Sequence, residues 1–260
     1  MELIEYNSEL WEQFRGAYGC VLEDIQDLMK ETATEEEQRD AFENLCENLW
    51  HQLSFYDATY IALPYLVTVL EKKQDFQWQL DLISEMGICI MTDIPRNHYH
   101  QVDNQMVLTS YNQAIERLRE KTKLFLLENM DAIKKLDESN LSYFCTAVLA
   151  ILGDREAAFV MNSLYFNECY VFCDKCEFYN ETMNPFSEGV SECIVPAENV
   201  IGKWDGEDYQ DTYVWFTNWL NQLNAEYLVR NLTYYYGTYT CPKCGRKHLV
   251  MDAAKKYFDI

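Results

Sequence analysis

The sequence predicts a predominantly α-helical chain that carries a small zinc-bound β module towards its C-terminal end. Apolar residues recur at steps of three and four through the first two-thirds of the chain, the period of amphipathic helices. Two Cys-x-x-Cys pairs then follow, Cys173-Asp-Lys-Cys176 and Cys241-Pro-Lys-Cys244. Four thiolates in two such turns match a tetrahedral structural zinc site. With 260 residues, 48% hydrophobic and 15% aromatic, the chain can bury a full core in one domain or two.

The helices follow in order. Residues 40–53 align Phe42, Leu45, Cys46, Leu49, Trp50 and Leu53, and residues 57–71 align Ile61, Ala62, Tyr65, Leu66, Val69 and Leu70. Residues 76–91 and 104–130 read the same way, the latter with Tyr111, Ala114, Ile115, Leu118 and Phe125. Residues 140–152 repeat the spacing with Leu141, Phe144, Cys145, Val148, Leu149 and Leu152. Asp57 is placed to cap one helix, Gly153 to end another in a left-handed turn, and Asp154 to cap the next. Such short breaks give antiparallel hairpins. Cys20, Cys46, Cys89 and Cys145 fall on apolar stripes and read as core.

Each cysteine pair has the flanks of a zinc knuckle. Tyr170-Val171-Phe172 and Thr238-Tyr239-Thr240 suit strands, Gly245 permits a tight turn, and His248-Leu249-Val250 reads as a return strand. The gap is unusual, because residues 177–240 separate the pairs and a four-cysteine ribbon more often has a gap in the teens or twenties. Either the ribbon carries an insertion or each pair finds other ligands. Residues 177–206 read as an extended loop, and 208–232 as a helix with Tyr213, Phe216, Leu220, Leu223 and Tyr227 on one face. Trp204, Trp215 and Trp219 either form a core between helix and ribbon or stay exposed as a binding surface. A redox dithiol lacks the βαβ surroundings, and structural disulfides disagree with ten cysteines and no secretion signal. Cys169 and His248 are the alternative ligands.

Charge sets the partner class. The net charge is −22, and the first fifty residues hold 14 acidic and 3 basic side chains. Glu35, Glu36 and Glu37 form the densest acidic run, and a second stretch runs through Glu188, Glu192, Glu198, Asp205, Glu207, Asp208 and Asp211. Direct nucleic-acid binding is not expected, because phosphate contacts need lysine and arginine. An acidic face attracts a basic protein, so Glu35–Glu37 are the expected partner-binding residues. Glu2, Glu5 and Glu9 stand where a signal peptide would be basic and then apolar, and no apolar run reaches spanning length. A cytoplasmic protein is expected.

Enzyme templates fail: there is no Gly-x-Ser-x-Gly elbow, no glycine-rich phosphate loop and no His-Glu-x-x-His. A zinc deaminase needs Pro before its Cys-x-x-Cys and a His-x-Glu, whereas Thr240 precedes Cys241. No catalytic residue is expected, although a carboxylate pair in a helical groove is not removed by counting. His51, beside Trp50 and Gln52, reads as a junction residue, and His98 and His100 lack a partner spacing for metal.

Ala58-Thr59-Tyr60-Ile61-Ala62-Leu63-Pro64-Tyr65-Leu66-Val67 resembles the first helix of a HEAT-type repeat, and Ala147 to Ala158 resembles its Leu-Gly-Asp-x-x-Ala turn. Leu49-Trp50-His51-Gln52, with Tyr56, Ala58 and Pro64, is similar to a recurrent stretch of bacterial HEAT-like proteins, where glycine usually follows the glutamine; here it is Leu53. The resemblance covers residues 36–168 and implies an α-solenoid of antiparallel helix hairpins. Several such proteins resemble immunity factors that neutralise toxins. The implied plan is a HEAT-like domain over residues 1–168 and a zinc-ribbon-like module over 169–260. The implied function is non-catalytic binding of a basic protein, with a toxin as its specific form and with a hydrolytic or transfer enzyme and a zinc-stabilised scaffold as alternatives.

Overall fold

Consecutive helices fill most of the chain, joined by short connections and small antiparallel sheets. The computed structural model describes residues 1–97, 102–162, 168–183, 193–200, 202, 204, 206 and 209–260. It divides into two compact units, Met1–Phe125 and Leu126–Ile260. The sequence-based boundary between residues 168 and 169 lies inside the second.

The first unit runs α1 (Leu10–Gln13), α2 (Leu22–Met29), α3 (Glu35–Leu49), the hairpin β1 (Trp50–His51) and β2 (Ser54–Phe55), α4 (Ala58–Lys72) and α5 (Phe76–Thr92). The long α6 (Gln105–Ile133) begins here, after a 3-10 turn at Pro95–Asn97. Helix α3 starts at a capping box: Thr34 Oγ1 accepts from Glu37 N, and Glu37 Oε2 accepts from Thr34 N at 2.7 Å. It packs on α2 and α4, and α4 packs on α5. Leu45, Leu49, Leu63, Leu66, Leu82, Ile83 and Met86 are fully buried between them, as the three–four spacing requires. Asp75 caps α5 through Trp78 N at 3.0 Å. Arg39 and Lys73 flank the buried Trp78 ring, at 3.7 and 4.3 Å from its centroid.

Two local expectations fail here. Helix α3 stops at Leu49, short of 53, because Trp50 is extended (φ −144°, ψ 140°) and pairs with Phe55. Phe55 is buried and the Trp50 indole reaches Glu85 Oε2; these tertiary contacts outweigh the helical period. Leu53 consequently lies in the turn. Asp57 adopts helical backbone and makes no capping bond through its side chain.

The second unit continues α6 past an irregular Asn129 (φ −119°, ψ 15°) into α7 (Glu138–Leu152) and α8 (Arg155–Met161). Then come β3 (Glu168–Cys173), β4 (Phe178–Met183), β5 (Ile194–Val195), α9 (Thr212–Gln222), α10 (Glu226–Tyr235), β6 (Thr238–Thr240), β7 (Lys247–Leu249) and α11 (Val250–Phe258). Strands β3 and β4 pair antiparallel, and a second antiparallel sheet has the order β5-β6-β7. Helix α7 packs on α8, α9 on α10, and α11 on β3 and α8. Lys255 of α11 bridges Asp154 and Glu156 at the start of α8, at 3.1 and 2.8 Å.

Asp154 caps α8 as expected, accepting from Glu156 N and Ala157 N. Gly153 is not left-handed (φ −116°, ψ −117°); what it provides is room, since an added Cβ would lie 3.0 Å from Leu149 O. The expected helix over 208–232 is two helices, broken where Asn224 turns left-handed (φ 59°), a conformation asparagine tolerates. The expected loop over 177–206 contains β4 and β5. Trp204, Trp215 and Trp219 are 6%, 2% and 0% exposed, so this aromatic cluster is core and not a binding surface. Among the described residues no helix is long and apolar enough to cross a membrane.

Candidate metal centre

Two knuckles of similar construction build the centre. In the first, β3 ends on Cys173, which pairs with Phe178 of β4, and the turn closes through Glu177 at φ 50°. In the second, Cys241 N donates to Arg246 O and Gly245 N to Cys241 O, both at 2.9 Å. Gly245 has φ 71°, which a side chain would strain. Strand β7 then returns along β6, with Tyr239 opposite His248.

The knuckles bring Cys173, Cys176, Cys241 and Cys244 together, with all four sulfurs within 4.8 Å of one another. Cys173 Sγ lies 3.6 Å from Cys244 Sγ, and Cys176 Sγ lies 3.7 Å from Cys241 Sγ. A disulfide needs about 2.05 Å, and all ten cysteines are free thiols. A tetrahedron with metal–sulfur bonds of about 2.3 Å has edges of about 3.8 Å, close to these separations. The insertion between the pairs folds as strands and helices of its own, so the long gap does not part them.

Electrostatics favour a cation. Burial pushes the Cys176 thiol up to about 12, reinforced by the thiols of Cys244, Cys173 and Cys241. At Cys241 burial also pushes upward, but the backbone amides of Cys244 and Lys243 outweigh it and bring the thiol down to about 7. Four sulfurs this close cannot all ionise unless a positive charge sits among them. Basic side chains surround them. Lys243 Nζ donates to Cys176 O at 3.2 Å, and Asp174 bridges Arg246 at 3.0 Å and Lys256 at 2.5 Å. Asp174 thereby ties the first knuckle to the second and to α11.

The two alternative ligands differ in their distance from the cluster. His248 stands beside the cluster, with Nε2 3.3 Å from Cys173 Sγ, and forms a second close group with Cys173 and Asp174. That separation puts Nε2 within hydrogen-bonding distance of the Cys173 sulfur. Cys169 is buried on the same face of β3 as Val171 and Cys173, outside the four-sulfur group. His98 and His100 lie outside the described residues, as do Glu188, Glu192, Asp205, Glu207 and Asp208 of the second acidic stretch.

Glu35, Glu36 and Glu37 form the first turn of α3. Glu37 closes the capping box, and the backbone and hydroxyl of Thr34 hold its carboxyl below the usual range. Glu35 Oε1 accepts from Trp78 Nε1 at 3.1 Å. All three are exposed, but two of them also have work within the unit. Sequence reasoning missed the cross-tie through Asp174, Arg246 and Lys256; its signal was the charged residue beside each knuckle. It also missed α11, although Val250, Ala253, Ala254, Tyr257 and Phe258 have helical spacing.

Comparison with protein-family models, with curated proteins and with solved structures found no match for this chain.

Proposed function

We propose that the chain is a non-catalytic protein-binding module, stabilised by one structural zinc ion on Cys173, Cys176, Cys241 and Cys244. Its acidic surface takes a basic protein, and the mechanism is occlusion of that partner's working surface. The HEAT-like resemblance of residues 36–168 makes a cytoplasmic toxin–immunity pair the specific form of this reading. The charge balance carries it: −22 overall, with half of the excess in the first fifty residues. The metal centre supports it from the other side, because four thiolates leave no coordination position for substrate. Cys46, a thiol near His51 in sequence, is a poor nucleophile: burial, then the charge of Glu85, pushes it well above its ordinary value.

Capture from the native cell, followed by binding kinetics at two ionic strengths, tests the reading. A basic partner is expected, with association slowed about several-fold between low and physiological salt, because steering acts mainly on the on-rate. Capture of acidic partners only, or salt-independent association, would overturn it. A turnover activity lost with a single Asp or Glu would favour the enzyme instead.

A further inference from the structure

The first unit holds an open cleft of ≈ 390 Å³. Phe42, Glu43, Cys46 and Glu47 of α3 form its floor, the β1–β2 turn one wall, and Tyr18 and Glu85 the others.

These walls are fixed by hydrogen bonds. Ala17 N donates to Asn48 O and Tyr18 N to Asn48 Oδ1, at 2.8 and 2.9 Å. Gly16 permits this approach, since an added Cβ would lie 2.7 Å from that Asn48 carbonyl oxygen. The turn has two left-handed residues, Gln52 (φ 50°) and Leu53 (φ 61°), and Asn97 Nδ2 holds it through Leu53 O at 2.9 Å. Trp50 Nε1 donates to Glu85 Oε2 at 3.0 Å, and Tyr18 OH lies 3.3 Å from His51 Nδ1.

The lining has two chemistries. Trp50, Phe42 and Tyr18 supply aromatic surface, and Glu43, Glu47 and Glu85 supply carboxylates. No lysine or arginine is among the lining residues. Such a cleft repels anions and holds no activated thiol. It fits a cation with a flat, weakly hydrated face that stacks on indole while its edge meets carboxylates. Guanidinium has that shape and donor fork, and ammonium does not.

We infer that this cleft receives an arginine side chain of the basic protein partner, its guanidinium between Glu43 and Glu47 and against Trp50. The inference rests on the basic-partner reading above and adds the contact that gives the complex its lifetime. Glu35–Glu37 then act on encounter and the cleft on residence.

The test uses the full chain and Nα-acetyl-arginine methylamide, followed by the NMR shift of the Trp50 indole N–H. A saturable shift is expected, with the neutral citrulline analogue binding about tenfold more weakly or worse. Glu43→Gln/Glu47→Gln should weaken the arginine probe by about tenfold, whereas Glu31→Gln/Glu36→Gln, which removes equal charge elsewhere, should change it by less than about twofold. Both pairs are exposed, and matching unfolding midpoints will confirm intact folds. Equal binding of the arginine and citrulline probes, or indifference to Glu43→Gln/Glu47→Gln, overturns the inference. So does free agmatine binding about tenfold tighter than the blocked arginine, which would make this a small-molecule site. A captured basic partner whose complex keeps its lifetime with Glu43→Gln/Glu47→Gln overturns the cleft alone. Failure to capture any basic partner overturns the parent reading, and the probe then reports the cleft's cation preference by itself.

Discussion

Removing the metal should destabilise the second unit by an amount set by chain connectivity. A metal that joins Cys173 to Cys244 and Cys176 to Cys241 ties residues 71 and 65 positions apart. Both ties share one site, so the closure counts once. Cross-linking a loop of this length removes about 15 cal/mol/K of entropy from the unfolded chain, or about 4 kcal/mol at 25 °C. For a chain of this size that lowers the thermal midpoint by about 10 °C. The loss is compounded by leaving four sulfurs in contact with no cation among them. The assay is urea unfolding with and without a strong chelator, read by the fluorescence of the buried Trp204, Trp215 and Trp219. Thiol titration runs in parallel, since chelation should expose four thiols of the native protein that the metal had protected. Elemental analysis should find one zinc per chain; iron in its place would keep the four-sulfur site and change the metal. Identical midpoints and thiol reactivities in the two conditions would refute the reasoning. Stoichiometric metal in Cys173→Ser/Cys241→Ser would do the same, as would a disulfide within either pair.

Other outcomes follow from the helices. Leu149 is 1% exposed on α7, so Leu149→Asp buries an unpaired charge and should cost more than about 3 kcal/mol in chemical denaturation; a parent-like midpoint would mean that the face is misassigned. Glu35→Lys/Glu36→Lys/Glu37→Lys should both slow association with a basic partner and lower stability, because the capping box and the Trp78 bond are lost together. Glu36→Lys alone should slow association with an unchanged midpoint, and a triple variant as stable as the parent would show that those bonds carry no weight. Asp137 caps α7, and the backbone and side-chain amides of Asn140 hold its carboxyl below the usual range. Its contribution is therefore present above the unfolded value of about 3.9 and is lost as pH falls through the folded value. Asp137→Ala should lower the urea midpoint near neutrality and match the parent at about pH 2; a gap that widens on acidification would contradict the sign.

Short-range order was legible where one interaction decides it. Cys-x-x-Cys spacing, strand-forming flanks and Gly245 together define a knuckle within ten residues, and both knuckles form. The return strand of the second ends at Leu249, however, because Val250 opens α11, and the return strand of the first, β4, falls where the sequence reads as loop. That the two knuckles meet across residues 177–240 required only a shared metal chemistry, not a contact visible in sequence. The three–four period likewise located α4, α5 and α7, because burial on one face is the rule that makes the period. Legibility fails where a tertiary contact replaces the local rule. Trp50 continues the apolar stripe of α3, yet it leaves the helix to pair with Phe55 and reach Glu85. Nothing local announces the turn at Gln52 and Leu53, since neither is a glycine and both are left-handed. The cleft is invisible for the same reason: Tyr18, Glu43, Glu47, His51 and Glu85 come from separate elements and share no spacing. Charge was legible in amount but not in employment. The run Glu35–Glu37 read as free surface, although Thr34 three residues before Glu37 is the signature of a capping box. With Glu37 in the cap and Glu35 on Trp78, the run has structural duties of its own. Glu43 and Glu47, one turn apart on the exposed side of α3, face a cavity instead. The acidic N-terminal segment therefore divides into carboxylates that build the helix and carboxylates that are free to meet a partner, and only the second set should change affinity without changing stability.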